Sequence, residues 1–144
     1  MKAIKIAQIP PPAVQVTATI REVIPIMGSD QGCGVAVMDG DRLAGTLSKD
    51  DVLKRVIGEG MDPATTRVGD VMTTPAASVT TDTETGEALK MMFDRGCCYL
   101  PVVDQGGILR GWLALCHLFR DHVEDVGREL DSLEAYLSAD GPGG

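Results

Sequence analysis

The chain has 144 residues, 44 % hydrophobic but only 3 % aromatic, with 24 % charged and a formal net charge of −8. That balance excludes a disordered chain and suits one compact domain, or two small halves sharing a core of Val, Leu, Ile, Ala and Met. The acidity argues against non-specific binding to nucleic acid or an anionic membrane, although local backbone amides can still hold a small anion.

Residues 8–16 contain Pro10-Pro11-Pro12 and read as extended and stiff. Thr19-Ile20-Arg21-Glu22 has the pattern of a capping box, with apolar residues at 20, 23, 24 and 27. A first helix follows, which Pro25 should shorten or kink. Gly34–Met38 and Leu43–Leu47 read as buried strands joined across Asp39-Gly40-Asp41. Ser48–Ile57 reads as a helix with Val52, Leu53, Val56 and Ile57 inward, stopped by Gly58 and Gly60. Residues 58–75 form a connection.

The order then repeats. Ser78–Thr81 is a short strand, and residues 84–95 form a helix with Ala88, Leu89, Met92 and Phe93 inward, ended by Gly96. Tyr99–Val103 and Leu109–Leu113 are strands, and a helix begins near Leu115. From Phe119 it runs on with Val123, Val126, Leu130, Leu133 and Leu137 spaced as a heptad seam, weakened by Gly127. That seam either lies against the core or associates with another copy. The tail 139–144 is expected to be disordered.

Gly34–Ser48 aligns without a gap on Leu100–Ala114, at an offset of 66 residues. A repeat this long in a chain this short implies a pair of similar halves. The copies diverge at one place: Ser48-Lys49-Asp50-Asp51 in the first becomes Ala114-Leu115-Cys116-His117 in the second.

Ser48 stands where a strand runs into a helix N-terminus, whose unpaired N–H groups and partial positive charge suit a phosphate. Asp51, one turn on, can accept hydrogen bonds from two ribose hydroxyls. Ser-x-x-Asp is equally the pattern of an N-cap with an acidic third residue, and the tetrapeptide alone leaves both roles open.

Three marks carry a resemblance: Gly45-Thr46-Leu47-Ser48-Lys49-Asp50-Asp51, Val68-Gly69-Asp70-Val71-Met72-Thr73, and Tyr99-Leu100-Pro101-Val102-Val103-Asp104. Over roughly residues 10–120 the chain resembles tandem CBS domains, the Bateman module. The resemblance implies an α+β fold of two pseudo-symmetric β-α-β-β-α repeats packed sheet to sheet, with an extra C-terminal helix. The expected parts are a first repeat at 1–65, a second at 66–120, and a helix and tail at 121–144.

It also implies a regulatory, non-enzymatic module that binds AMP, ADP, ATP or S-adenosylmethionine between the halves, requires no cofactor, and forms a homodimer serving an unknown regulated protein. On this chain Thr46, Ser48, Lys49 and Asp51 would meet Met72, Pro75, Ala77, Cys97, Cys98 and Tyr99, which would wall an adenine pocket. The other cleft would use Ala114 and His117 with Ile6, Ile9, Pro11, Gln31 and Gly32. Neither Ala114 nor His117 reproduces the hydroxyl and carboxylate, so one nucleotide per chain is expected. A ligand-free dimeric scaffold acting through the heptad helix is the alternative.

No apolar run approaches the ~20 residues of a membrane span, and the N-terminus lacks the marks of a secretory signal. Cys33, Cys97, Cys98 and Cys116 show neither scaffold nor metal-ligand spacing. They read as free thiols in a reducing cytoplasm. No nucleophile–base pair, P-loop or catalytic carboxylate pair is present.

Overall fold

A computed structural model describes residues 1–28 and 33–139. Gln31, Gly32 and the tail beyond residue 139 lie outside the described residues. A 3-10 turn (Ala3–Ile6) leads to β1 (Ala13–Gln15), α1 (Ile20–Met27), β2 (Gly34–Asp39), β3 (Arg42–Ser48) and α2 (Lys49–Asp51), which loosens into a π-helix over Val52–Ile57. After α3 (Val68–Val71) come β4 (Val79–Thr80), α4 (Thr85–Arg95), β5 (Tyr99–Val103), β6 (Leu109–Ala114) and α5 (Leu115–Ala139). The strands form two sheets, β1-β2-β3 and β4-β5-β6, each with a parallel first pair and an antiparallel second.

The box at Thr19 caps α1: Glu22 N donates to Thr19 Oγ1 and Thr19 N to Glu22 Oε2, both at 3.3 Å. Ile20, Val23 and Met27 are buried one turn apart. Pro25 does not end this helix. It sits on the exposed face, where the carbonyl that loses its donor can meet water.

Two expected helix faces are corrected. In the π-helix, Gly58 N donates to Leu53 O and Met61 N to Val56 O, each five residues back. This wider winding keeps Val52 and Val56 on the core line and swings Leu53 and Ile57 out, to 61 % and 57 % exposed. In α4, Ala88 and Met92 are buried with Leu89 beside them, while Phe93 is 67 % exposed. Periodicity marks an apolar stripe but not which of its edges meets the core.

The gap-free repeat is corrected as well. Gly45 pairs with Val37, and its counterpart Gly111 pairs with Val102. The offset is therefore 66 residues along β3 and β6, but 65 along β2 and β5, where Gly34 matches Tyr99. The difference lies in the hairpins. Gly40-Asp41 makes a two-residue turn with Gly40 at φ +63°. Gln105-Gly106-Gly107 makes a three-residue loop with Gly107 at φ +80°. Asp104 organises that loop by accepting from Gly106 N, Ile108 N and Arg110 Nε, and these bonds lower its pKa.

Each half borrows the segment that leads into the other. Val68 and Val71 of α3 are buried in the first core with Ile20, Val35, Val37, Leu47 and Val56. Ala3 of the N-terminal turn is buried in the second core with Ala88, Met92, Leu100 and Leu113. Reciprocal bridges fasten the exchange, Thr46 to Thr73 and Trp112 to Gln8. The sheets face each other through Ala36, Met38 and Trp112, flanked by Leu43, Tyr99 and Leu109. Tyr99 stacks on Trp112, with ring centres 4.7 Å apart.

Candidate functional site

β3 delivers Ser48 to the start of α2, and the Ser-x-x-Asp pattern closes there as a capping box. Asp51 N donates to Ser48 Oγ and Ser48 N to Asp51 Oδ2, both at 3.0 Å. Thr73, on the segment leading into the second half, donates its hydroxyl to both carboxylate oxygens at 3.1 Å. The Asp51 side chain is 12 % exposed, with Arg55 Nε 3.8 Å from Oδ1. Arg55 is otherwise engaged: its guanidinium donates to Val71 O and Met72 O, where α3 ends. A carboxylate offers about four acceptor positions, so Asp51 retains capacity on Oδ1 beyond its internal bonds.

A cleft of about 290 Å³ opens between the halves, lined by Cys33, Ser48, Lys49 and Asp50 from the first and by Gly96, Cys97, Cys98 and Tyr99 from the second. It is at the small end of ligand pockets, which run from about 300 to 1,000 Å³. Of the expected residues, Ser48, Lys49, Cys97, Cys98 and Tyr99 come together here. Thr46 adjoins them through Tyr99, whose hydroxyl donates to Thr46 Oγ1 at 3.5 Å. Burial, foremost, raises the Tyr99 pKa and keeps the hydroxyl protonated.

Asp51, Met72, Pro75 and Ala77 do not line this cleft; Asp51 stands behind Ser48, with its carboxylate held by Ser48 N and the Thr73 hydroxyl. Met72 packs against Gly45 and the first core. Ala77 packs against the second core. Pro75 borders a different cavity of about 410 Å³ between the two hairpins, with Leu43, Ala44, Ser78, Val103 and Ile108. Sequence alone does not single out Cys33, Asp50, Thr73 or the carbonyl-binding role of Arg55. The offset of 65 would have matched Cys33 to Cys98. Both carbonyls accept from the first residue of the following helix, Lys49 N to Cys33 O and Leu115 N to Cys98 O.

The thiols of Cys33 and Cys97 have raised pKa values, chiefly from burial, and Cys33 is raised further by nearby Cys98 and Cys116. A raised thiol is a poor nucleophile near neutral pH. Among the described residues no three His, Cys, Asp or Glu side chains gather as a metal site. No helix there is long and apolar enough to cross a membrane.

The second cleft differs in chemistry. Ala114 is fully buried, and His117 borders a cavity of about 150 Å³ with Ile6, Arg120, Asp121 and Glu124. Ile9 and Pro11 do not line it. Burial first, then Arg120, lowers the His117 pKa, so the ring is neutral near pH 7. With the imidazole neutral, the carboxylates of Asp121 and Glu124 outnumber the one guanidinium of Arg120, and the net negative lining disfavours an anionic phosphate.

The family model of the CBS domain matches residues 4–58 and again 68–122. Over 95 residues the chain is 32 % identical to the meiotically up-regulated gene 70 protein of Schizosaccharomyces pombe, covering 65 % of this chain and 13 % of that protein. The chain spans about half the length, or less, of the first curated relatives it matches. A putative signal-transduction protein with CBS domains from Burkholderia ambifaria superposes with a TM-score of 0.78 at 24 % identity, over 87 % of this chain and 96 % of that one. The cytosolic domain of the Mg2+ channel MgtE, solved in complex with ATP, superposes at 0.62 with 30 % identity, over 76 % of this chain and 44 % of that one. Two copies of a β-α-β-β-α unit, each matched along its length, make this chain a member of the CBS domain family, built as a tandem CBS pair.

Proposed function

We propose that this chain is a regulatory module that binds one adenine nucleotide, AMP, ADP or ATP, in the cleft between its halves, with S-adenosylmethionine as a further adenosine ligand to test. The observation that carries the reading is the cleft's mixed origin: a helix N-terminus with Ser48 and Lys49 faces Cys97, Cys98 and Tyr99 of the other half. In this reading the Lys49 ammonium meets phosphate, the small thiols and Tyr99 flank the base, and Asp51, which stands behind Ser48, turns Oδ1 toward the cleft to accept from ribose. The complex of MgtE with ATP supports the ligand class. His117, Asp121 and Glu124 in the opposite cleft support one ligand rather than two.

Binding across the halves favours the closed arrangement of a two-state equilibrium, which a partner protein reads; no chemical step is required. Four free thiols fit a cytoplasmic setting. The scaffold reading keeps one observation in its favour, the exposed seam of α5.

Thermal melting with AMP, ADP, ATP and S-adenosylmethionine tests the proposal. A ligand at 100 times its Kd stabilises the fold by about 2.7 kcal/mol, and calorimetry should then give one ligand per chain. If none of the four raises the midpoint, the nucleotide reading fails.

A further inference from the structure

α5 is a continuous helix from Leu115 to Ala139, of which the start is anchored on the second core by Leu115 and Leu118. Beyond it Phe119, Val123, Val126, Leu130, Leu133 and Leu137 are each between 47 % and 64 % exposed, so the seam does not lie on the core of its own chain. Arg120, Glu129 and Glu134 flank the seam and have no ion-pair partner among the described residues.

We propose that this face pairs with α5 of a second copy of the chain, antiparallel, about a twofold axis passing near residue 128. The seam spacing of 4, 3, 4, 3, 4 reads the same in both directions. A reversed copy therefore places Phe119 against the partner's Leu137, Val123 against the partner's Leu133, and Val126 against the partner's Leu130. Each layer joins an a position to a d position, as antiparallel coiled coils require.

The flanking charges choose the direction. In the antiparallel pair Arg120 faces the partner's Glu134, and symmetry makes that contact twice, against one repulsion between Glu129 and the partner's Glu129. A parallel pair would instead set Glu129 beside the partner's Glu134 twice and form neither Arg120 contact. Gly127 falls beside its own symmetry mate, and a Cβ there would meet no atom of its own chain, so the two backbones can approach closely at the centre.

Sedimentation equilibrium of the full chain across a dilution series tests this without reference to nucleotide binding. The wild type should associate reversibly. Leu130→Asp should halve the associated mass while leaving the melting temperature of dilute, monomeric protein unchanged, because Leu130 is exposed on its own chain. Glu134→Arg should raise the Kd of association about tenfold, by turning two attractions into two repulsions, and Arg120→Glu/Glu134→Arg should restore it. A wild type that stays monomeric, or a Leu130→Asp variant with unchanged mass, overturns the interface and leaves the face to another occupant. Tighter association of Glu134→Arg overturns the direction, since in a parallel pair the new guanidinium would meet the partner's Glu129 and turn two repulsions into two attractions.

Discussion

Asp51 shows how one side chain can serve fold and site together. It completes the cap of α2 and holds Thr73, so it joins the first half to the segment leading into the second. Asp51→Ala should cost about 1 kcal/mol through the cap, which lowers the melting temperature by about 3 °C in a chain of this size. It should also abolish any upward shift with nucleotide. Melting curves with and without ATP separate the two effects, and a variant that keeps the full ligand shift would remove Asp51 from the site. Ser48 and Asp51 were legible because a cap is local. Thr73 was not, because its partner lies 22 residues away and nothing in a Thr-Thr-Pro segment announces a carboxylate. His117 was legible as a departure from the repeat, whereas its acidic neighbours required the helix to place them.

At the scale of elements, the strands and the longer helices followed from period and punctuation, but α3, inside what reads as a connection, did not, and neither did the neighbours of each element. Gly45 and Gly111 are equivalent in the repeat yet differ in what they touch. A Cβ at Gly45 would sit 2.5 Å from Thr73 O, a backbone atom held by the Thr46–Thr73 bridge. At Gly111 the nearest atoms are Ala7 Cβ and the tip of Ile4, both at 3.1 Å. Gly45→Ala should therefore destabilise by about 1–3 kcal/mol and Gly111→Ala by clearly less, as denaturant melts of the two variants would show. Equal losses would mean that the segment at Thr73 yields as easily as the tip of a side chain. The exposed Leu53, Ile57 and Phe93 belong to this scale as well, since a stripe drawn from sequence is wider than the face a sheet can cover.

For the molecule as a whole, the exchange of lead-in segments makes the halves interdependent. Ala3 completes the second core and α3 the first, although each precedes the other half's strands in the chain. Ala3→Glu would bury a charge without a partner and should cost more than about 3 kcal/mol. Because the bridges tie each sheet to the segment leading into the other half, and Ala36 and Met38 pack on Trp112 between the sheets, the loss should appear in both halves at once. Amide exchange in β2 and the fluorescence of Trp112, the one tryptophan, should report the same transition. Continued protection of β2 after Trp112 has become exposed would show two independent units.

Most of the elements, the duplication and its break are written locally in the chain, because caps, hydrophobic periods and turn residues act over a few neighbours. So is the seam of α5, whose spacing is local to one helix. The one-residue step between the copies emerges from strand pairing alone, since a gap inside a glycine-rich turn leaves the apolar pattern on either side intact. The tertiary structure alone decided which residues share a cleft, drawing Cys33 toward Cys97 and Tyr99 and leaving Met72, Pro75 and Ala77 elsewhere. Those choices depend on how two sheets pack face to face, and that packing is a sum over distant side chains that no short stretch of the chain encodes.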